Sequence, residues 1–279
     1  MDQLTLAMVM RKVGALPALP HITTRVLELI DNPDSKPQDI CKLISQDQVL
    51  TTKVLRLVNS AYYGLPRQVA TITEAVTILG LQTLRTIVLG VSVYKTLGGL
   101  GQKKVLAPEQ IWKHSIATAT ASKILAAKLG FEYVEQAFVA GLLHDIGKMI
   151  LNSLMTKEYL EVMRLAGETD KSFLQAEREV LEFDHSVVGD LLAEKWNLPD
   201  CLVEPIGYHH DPFAALNHPD LTCIVHLANA AAVIAGFGLG NDKDFHLDNK
   251  VLSRMNYSFD KVTELASEVG KRVTSEILL

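Results

Sequence analysis

GLLHDIGKMIL, residues 141–151, sets a histidine, an aspartate and a lysine inside an otherwise apolar run. The surrounding leucines, isoleucines and methionine describe a buried segment, and burying His144, Asp145 and Lys148 costs free energy unless something compensates. Two compensations fit. Either His144 is a hydrogen-bonded core residue beside helix-terminal charges, or the three residues belong to a metal site.

The flanking sequence defines the setting of that run. HITTRVLELIDNP, residues 21–33, repeats Ile22, Val26 and Ile30 every four positions with Leu27 widening the stripe, the period of an amphipathic helix. Ser35 followed three residues later by Gln38 has the form of a capping box and predicts a second helix with Ile40, Leu43 and Ile44 on one face. QVLTTKVLRLVNSAYYG, residues 48–64, predicts a third that closes at Gly64 with two tyrosines packed at its end. Thr71 with Glu74 opens a fourth that stops at Gly80, and LQTLRTIVLGVSVYKTL, residues 81–97, supplies a fifth.

LGGLGQKKVLAP, residues 97–108, gathers glycines, lysines and a proline between helical patterns and is the best candidate linker. PEQIWKHSIATATASKILAAKLG, residues 108–130, then reads as a long helix with Pro108 at its start and Gly130 at its end. Roughly six further helices follow by the same periodicity, with Val262, Leu265 and Val269 marking a closing one. No run alternates as a half-buried strand does, so the expected class is all-α. The expected organisation is an N-terminal helical subdomain over 1–97, a linker over 98–107 and a second helical subdomain over 108–279.

Composition narrows the function. Hydrophobic residues make up 48% and charged residues 21% of the 279, an ordinary globular profile. The net charge of -5 argues against a nucleic-acid partner, and Arg25, Lys53, Arg56, Arg67 and Arg85 read as a solvated face. IVHLANAAAVIAGFGLG, residues 224–240, is the most apolar stretch, but it contains His226 and Asn229 and reads as a buried helix, so no membrane partner is expected. MDQLTLAMVMRKVG, residues 1–14, carries its acid before and its bases after the apolar part, the reverse of a secretory signal, which predicts a cytoplasmic location. Cys41, Cys201 and Cys223 are scattered without CxxC spacing and read as reduced core thiols; Trp112 and Trp196 read as core.

Eight of the nine histidines fall after the candidate linker, and five of them stand in a suggestive order. His114 lies inside the long helix, His144 with Asp145 on the next, His185 at the start of another, and His209 with His210 at the end of IGYHH. Imidazole nitrogens together with one carboxylate suit iron, manganese, zinc or nickel, and a single carboxylate can bridge two ions. On one helix His144 and Asp145 would point about 100° apart, with Lys148 one turn on. A metal-bound water there would become a nucleophile, with Asp145 and Lys148 as the residues serving catalysis and the ammonium steadying phosphoryl charge.

LLHDIGK with a histidine 30 residues earlier resembles the HD superfamily of metal-dependent phosphohydrolases, which are all-helical. LPALPHITTRVLELI, ISQDQVLTTKVLRLVNSAYYG and ITEAVTILGLQTLRTIVL resemble the HDOD family within it, and the resemblance runs from about Leu16 to about Ala232. It implies that His185, His209 and His210 are the extra ligands of the related HD-GYP domains and that Lys148 is the lysine of their HDxGK motif. Two departures stand out. The GYP signature is absent after HH, where the chain reads DPFAALNHPD, and Asn229 takes the place of the family's late aspartate. Asn229 offers an oxygen without charge, and His226, three residues earlier on the same face, is either a substitute ligand or core.

Three functions compete on this reading. The first is a signalling module whose one or two divalent ions (Fe, Mn, Zn or Ni) set a conformation read by a protein partner or by a phosphorylated small molecule. The second is a metal-dependent phosphohydrolase on a nucleotide or cyclic dinucleotide. The third is a metal-free scaffold. The signalling module ranks first, because the ligands are present while the GYP signature and the late aspartate are not.

Overall fold

The computed structural model describes residues 4–60, 63–100, 105–239 and 247–273, and among them every regular element is helical. Two units form. One takes the chain up to Leu16 together with Leu100–Lys271; the other takes Pro17–Gly99 with the chain's end from Arg272. The first helix, α1 (Leu4–Gly14), therefore belongs with the later unit, a different grouping from one N-terminal subdomain over 1–97. The physical reason is Lys195, whose Nζ donates to the carbonyls of Val13, Gly14 and Leu16 at 2.9, 2.7 and 2.6 Å and so caps the C-terminal end of α1.

The smaller unit contains α2 (His21–Asp31), α3 (Pro37–Ser45), α4 (Gln48–Val58) and α5 (Ile72–Gly98). The capping box expected at Ser35 does not form. Pro37, whose fixed φ suits the first helical position, makes Lys36 the cap residue instead. Gly64 does not close α4 either. The helix ends at Asn59, whose side chain exchanges two hydrogen bonds with the backbone of Val69 at 2.7 and 2.8 Å. Of the two tyrosines placed there, Tyr62 lies outside the described residues. Thr71 caps α5, accepting from the Glu74 amide at 3.1 Å, and the helix breaks at Gly80, where φ is +79°. Arg25, Arg67 and Arg85 pair with Glu28, Glu74 and Asp31.

The larger unit continues with α6 (Pro108–Lys128), α7 (Val134–Leu143), α8 (Ile146–Leu154), α9 (Thr156–Glu168), α10 (Phe173–Leu181), α11 (His185–Lys195), α12 (Asp200–Tyr208), α13 (Pro219–Ala232), α14 (Asn249–Arg254) and α15 (Phe259–Arg272). After α6, Gly130 at φ +70° lets the Phe131 amide reach back to the Ala126 carbonyl at 2.9 Å, a Schellman stop that only a residue tolerant of positive φ makes cheaply. Nine α-helices follow α6 among the described residues, more than the roughly six that periodicity had marked. Ile72–Gly98 and Pro219–Phe237 are each long and apolar enough to cross a membrane, but 56% and 61% of their most apolar windows lie buried inside the protein, so packing accounts for their composition.

Close backbone approach positions the site. A Cβ on Gly147 of α8 would lie 1.8 Å from the His185 carbonyl oxygen, and Gly189 of α11 faces Gly147 in turn. A Cβ on Gly141 would lie 2.9 Å from Ala119 Cα, which fixes α7 against α6. The start of α8, the start of α11 and the end of α7 are thereby drawn together.

Candidate metal centre

The His144–Asp145 pair does not lie on one helix. It forms the joint between α7 and α8, with Asp145 at φ -100° and ψ 16°, in the bridge region where many functional residues sit. This corrects the helical reading, in which the two side chains, about 100° apart, would aim at one centre from the same turn of one helix. Ending α7 and restarting at Ile146 lets both face one centre, and Lys148 follows in the first turn of α8.

Asp145 is fully buried and its two oxygens face different neighbours. Oδ2 lies 3.2 Å from His114 Nε2, 3.4 Å from His144 Nε2 and 2.8 Å from Lys148 Nζ. Oδ1 lies 3.1 Å from His185 Nε2 and 3.7 Å from His209 Nε2, yet receives no aligned hydrogen bond among the described residues. His185 Nε2 is 3.3 Å from His209 Nε2 and 3.1 Å from His210 Nε2. The donor atoms form two groups, His114, His144 and Asp145 in one and His185, His209 and His210 in the other, each spanning no more than 4.8 Å. All six residues named in the sequence are thus brought together.

The tautomers of four rings follow from their other nitrogen. His114 Nδ1 donates to the Phe237 carbonyl at 2.9 Å, His144 Nδ1 to Gly141 at 2.8 Å, and His209 Nδ1 to Ile206 at 3.1 Å. A carbonyl only accepts, so each Nδ1 carries the proton and each Nε2 turns a lone pair inward when the ring is neutral. His185 Nδ1 meets a carboxylate, Glu177 Oε2, at 2.5 Å. Imidazoles pinned at Nδ1 with their Nε2 atoms converging on a carboxylate are the arrangement that ligates metals. His144 and His209 also stand at the C-terminal ends of α7 and α12, where the helix dipoles favour a cation.

Burial, with Lys148 nearby and against the opposing pull of Asp145, pushes His144 down to about 3. It also holds His209 and His210 well below the ordinary imidazole value, so these rings are in the neutral form that a metal needs. Burial pulls His185 down as well, but Glu177 and Asp145 on either side outweigh it and raise the ring to about 9. An ion at His185 must therefore displace its Nε2 proton. Asp145 stays ionised against its burial, held far below the usual carboxylate range by its electrostatic interactions with His144, Lys148 and His185.

His226 resolves toward the core. Its Nδ1 donates to the His209 carbonyl at 2.8 Å and its Nε2 accepts from the Asp248 amide at 3.1 Å, so both nitrogens are engaged by backbone. Asn229 lies on α13, which packs against α6 and α7, and its Oδ1 is buried without a hydrogen-bond partner among the described residues.

One residue of this site, Glu177, was missed in the sequence. Glu177 is fully buried on α10, where it accepts from the His185 amide at 3.0 Å, from His185 Nδ1 and from the Tyr159 hydroxyl at 2.8 Å. The signal was present: Glu177 falls on the apolar stripe of α10 between Phe173 and Leu181, where an acid has no reason to be unless paired.

Comparison with known proteins supports this setting. A family model for the HDOD domain matches residues 16–212. An HDOD domain protein of unknown function from Geobacter sulfurreducens superposes with a TM-score of 0.75 at 28% identity, covering 98% of this chain and 89% of that one. An uncharacterized protein of Treponema pallidum (strain Nichols) is 28% identical over 220 residues, 78% of this chain and 42% of that protein. Ribonuclease Y of Desulfotalea psychrophila (strain LSv54 / DSM 12343) is 30% identical over 154 residues, 55% of this chain. The chain spans less than half the length of these two relatives, 42% and 23%.

Proposed function

Given that the chain belongs to the HDOD domain family, we propose that it is a signal-transduction module built on a divalent-metal centre and working in the cytoplasm. His114, His144, Asp145, His185, His209 and His210 hold one or two ions of iron, manganese, zinc or nickel. The observation that carries this reading is the convergence on Asp145 of imidazoles whose Nδ1 atoms are already committed elsewhere. The residues present fit a metal, because Asp145 Oδ1 is buried without an aligned donor among the described residues.

Accessibility favours sensing over turnover. His114, His144, Asp145 and His209 are at most 2% exposed, which leaves a phosphodiester little room at the carboxylate. An ion tying α6, the α7–α8 joint, α11 and α12 together instead fixes their relative positions, and a protein partner or phosphorylated small molecule reads the result. When bound, the ion supplies positive charge and, for hydrolysis, an acidified water.

Lys148 favours a second reading, metal-dependent phosphodiester hydrolysis. Its ammonium, 2.8 Å from Asp145 Oδ2, is placed to neutralise phosphoryl charge, and part of the chain is similar to ribonuclease Y. One experiment separates the two. Turnover of bis(p-nitrophenyl) phosphate with Mn²⁺ or Fe²⁺ is measured beside hydrogen exchange of α8 and α11 with and without ion. The module reading expects metal-dependent protection without turnover; turnover abolished by Asp145→Asn moves hydrolysis to first place.

A further inference from the structure

The two faces of Asp145 are not equivalent. Oδ2 is shared by two imidazoles and by the Lys148 ammonium, a fixed positive charge beside any ion seated there. The helix that packs behind those imidazoles brings Asn229, which adds no charge. Oδ1 faces the three-imidazole group, and among the described residues no cationic side chain approaches it within ion-pair distance apart from the rings themselves.

A second asymmetry lies one shell out. His114, His144 and His209 give their Nδ1 protons to neutral carbonyls, whereas His185 gives its own to the buried Glu177 carboxylate. A carboxylate behind an imidazole raises its basicity as a ligand and fixes the ring. Glu177 is itself fixed: the Tyr159 hydroxyl holds Oε1, and the His185 amide, the first of α11, holds Oε2. It also offsets the positive end of α11, where His185 would otherwise be a poor place for a cation.

Building on the metal reading above, we propose that the His185, His209 and His210 half-site, with Asp145 Oδ1, takes the first divalent ion, and that Glu177 is the positioning residue that makes it so. The His114, His144 and Oδ2 half-site fills second and more weakly, because Lys148 competes for its oxygen. The order follows from the groups at each face, with three imidazole nitrogens and the Glu177 carboxylate behind His185 on one side and two nitrogens and an ammonium on the other.

The test is calorimetric titration of the chelator-treated chain with Mn²⁺ at neutral pH, for the wild type and for Glu177→Gln, His210→Ala and His114→Ala, with the ion-free melting temperature of each. The tightest step of the wild type is expected to weaken roughly tenfold to a hundredfold in Glu177→Gln, to weaken in His210→Ala, and to survive in His114→Ala. His210 is not among the hydrogen-bond partners of Glu177, which are Tyr159 and His185, so it reports on the half-site even if Glu177→Gln disturbs folding. A tightest step that survives Glu177→Gln and His210→Ala but is lost in His114→Ala overturns the proposal, as does equal loss in all three. A wild type that takes up no ion removes the metal reading itself, and this inference with it.

Discussion

Gly147 and His185 meet backbone to backbone, so close that a methyl group on Gly147 would sit 1.8 Å from the His185 carbonyl oxygen. That contact is why a glycine follows the His-Asp pair by two residues: it lets the helix that begins after Asp145 touch the helix that begins with His185. Gly147→Ala forces the two apart. Overpacking of this kind costs about 3 kcal/mol or somewhat more, and here it also separates Asp145 from His185. Denaturant unfolding is expected to show that loss together with abolished metal uptake. A variant within about 1 kcal/mol of wild type that still binds metal would show that the approach is not needed.

Chelation should lower thermal stability. An ion held by residues from α6, the α7–α8 joint, α11 and α12 binds the folded chain and not the unfolded one, and at a hundredfold excess over Kd that linkage is worth about 2.7 kcal/mol. Melting curves at neutral pH with Mn²⁺ and with EDTA measure it. Superimposable curves would leave the ion without a structural role.

Much of this was legible because the pattern is local. The Thr71 cap, Gly130 beyond α6 and the apolar stripes of α2 and α15 each rest on residues a few positions apart. The histidines were legible because five imidazoles with one His-Asp pair in apolar helices have few uses. What escaped was set by packing or by competition. Lys36 took the cap from Ser35 because Pro37 dictates the first turn. The break between His144 and Asp145 leaves no mark in an uninterrupted apolar run. Glu177 reads as one more acid in QAEREVLEF until α10 is seen against His185.

Asp190 gives the larger unit a pH dependence away from the centre. Burial, with Glu194 one turn on, raises its carboxyl from 3.8 to about 6. The folded chain then holds this proton more tightly than the unfolded one, so its contribution is present at low pH and is lost as pH rises toward about 6. Asp190→Asn should flatten the stability profile across that interval and leave the variant more stable than wild type at neutral pH. Urea midpoints taken at steps of pH decide it; a variant that keeps the wild-type slope would assign the slope to another group.

Lys195 should matter to one helix rather than to the whole. Its three hydrogen bonds to Val13, Gly14 and Leu16 cap α1, and a bond from a charged donor is worth about 1.5–3 kcal/mol. In Lys195→Met the amides of α1 are expected to exchange roughly tenfold to a hundredfold faster, while those of α6 and α13 keep their protection. Uniform acceleration across the unit would instead mean that α1 unfolds only with everything else.

The central claim is that six side chains from α6, the α7–α8 joint, α11 and α12 hold metal around Asp145. Crystals grown with Mn²⁺ and measured at the manganese absorption edge test it most directly. The account predicts an anomalous peak about 2.0–2.3 Å from the Nε2 atoms of His185 and His209, beside Asp145 Oδ1, and none at that place in Asp145→Asn. Anomalous density confined to surface carboxylates, with none near Asp145 at saturating Mn²⁺, would contradict it.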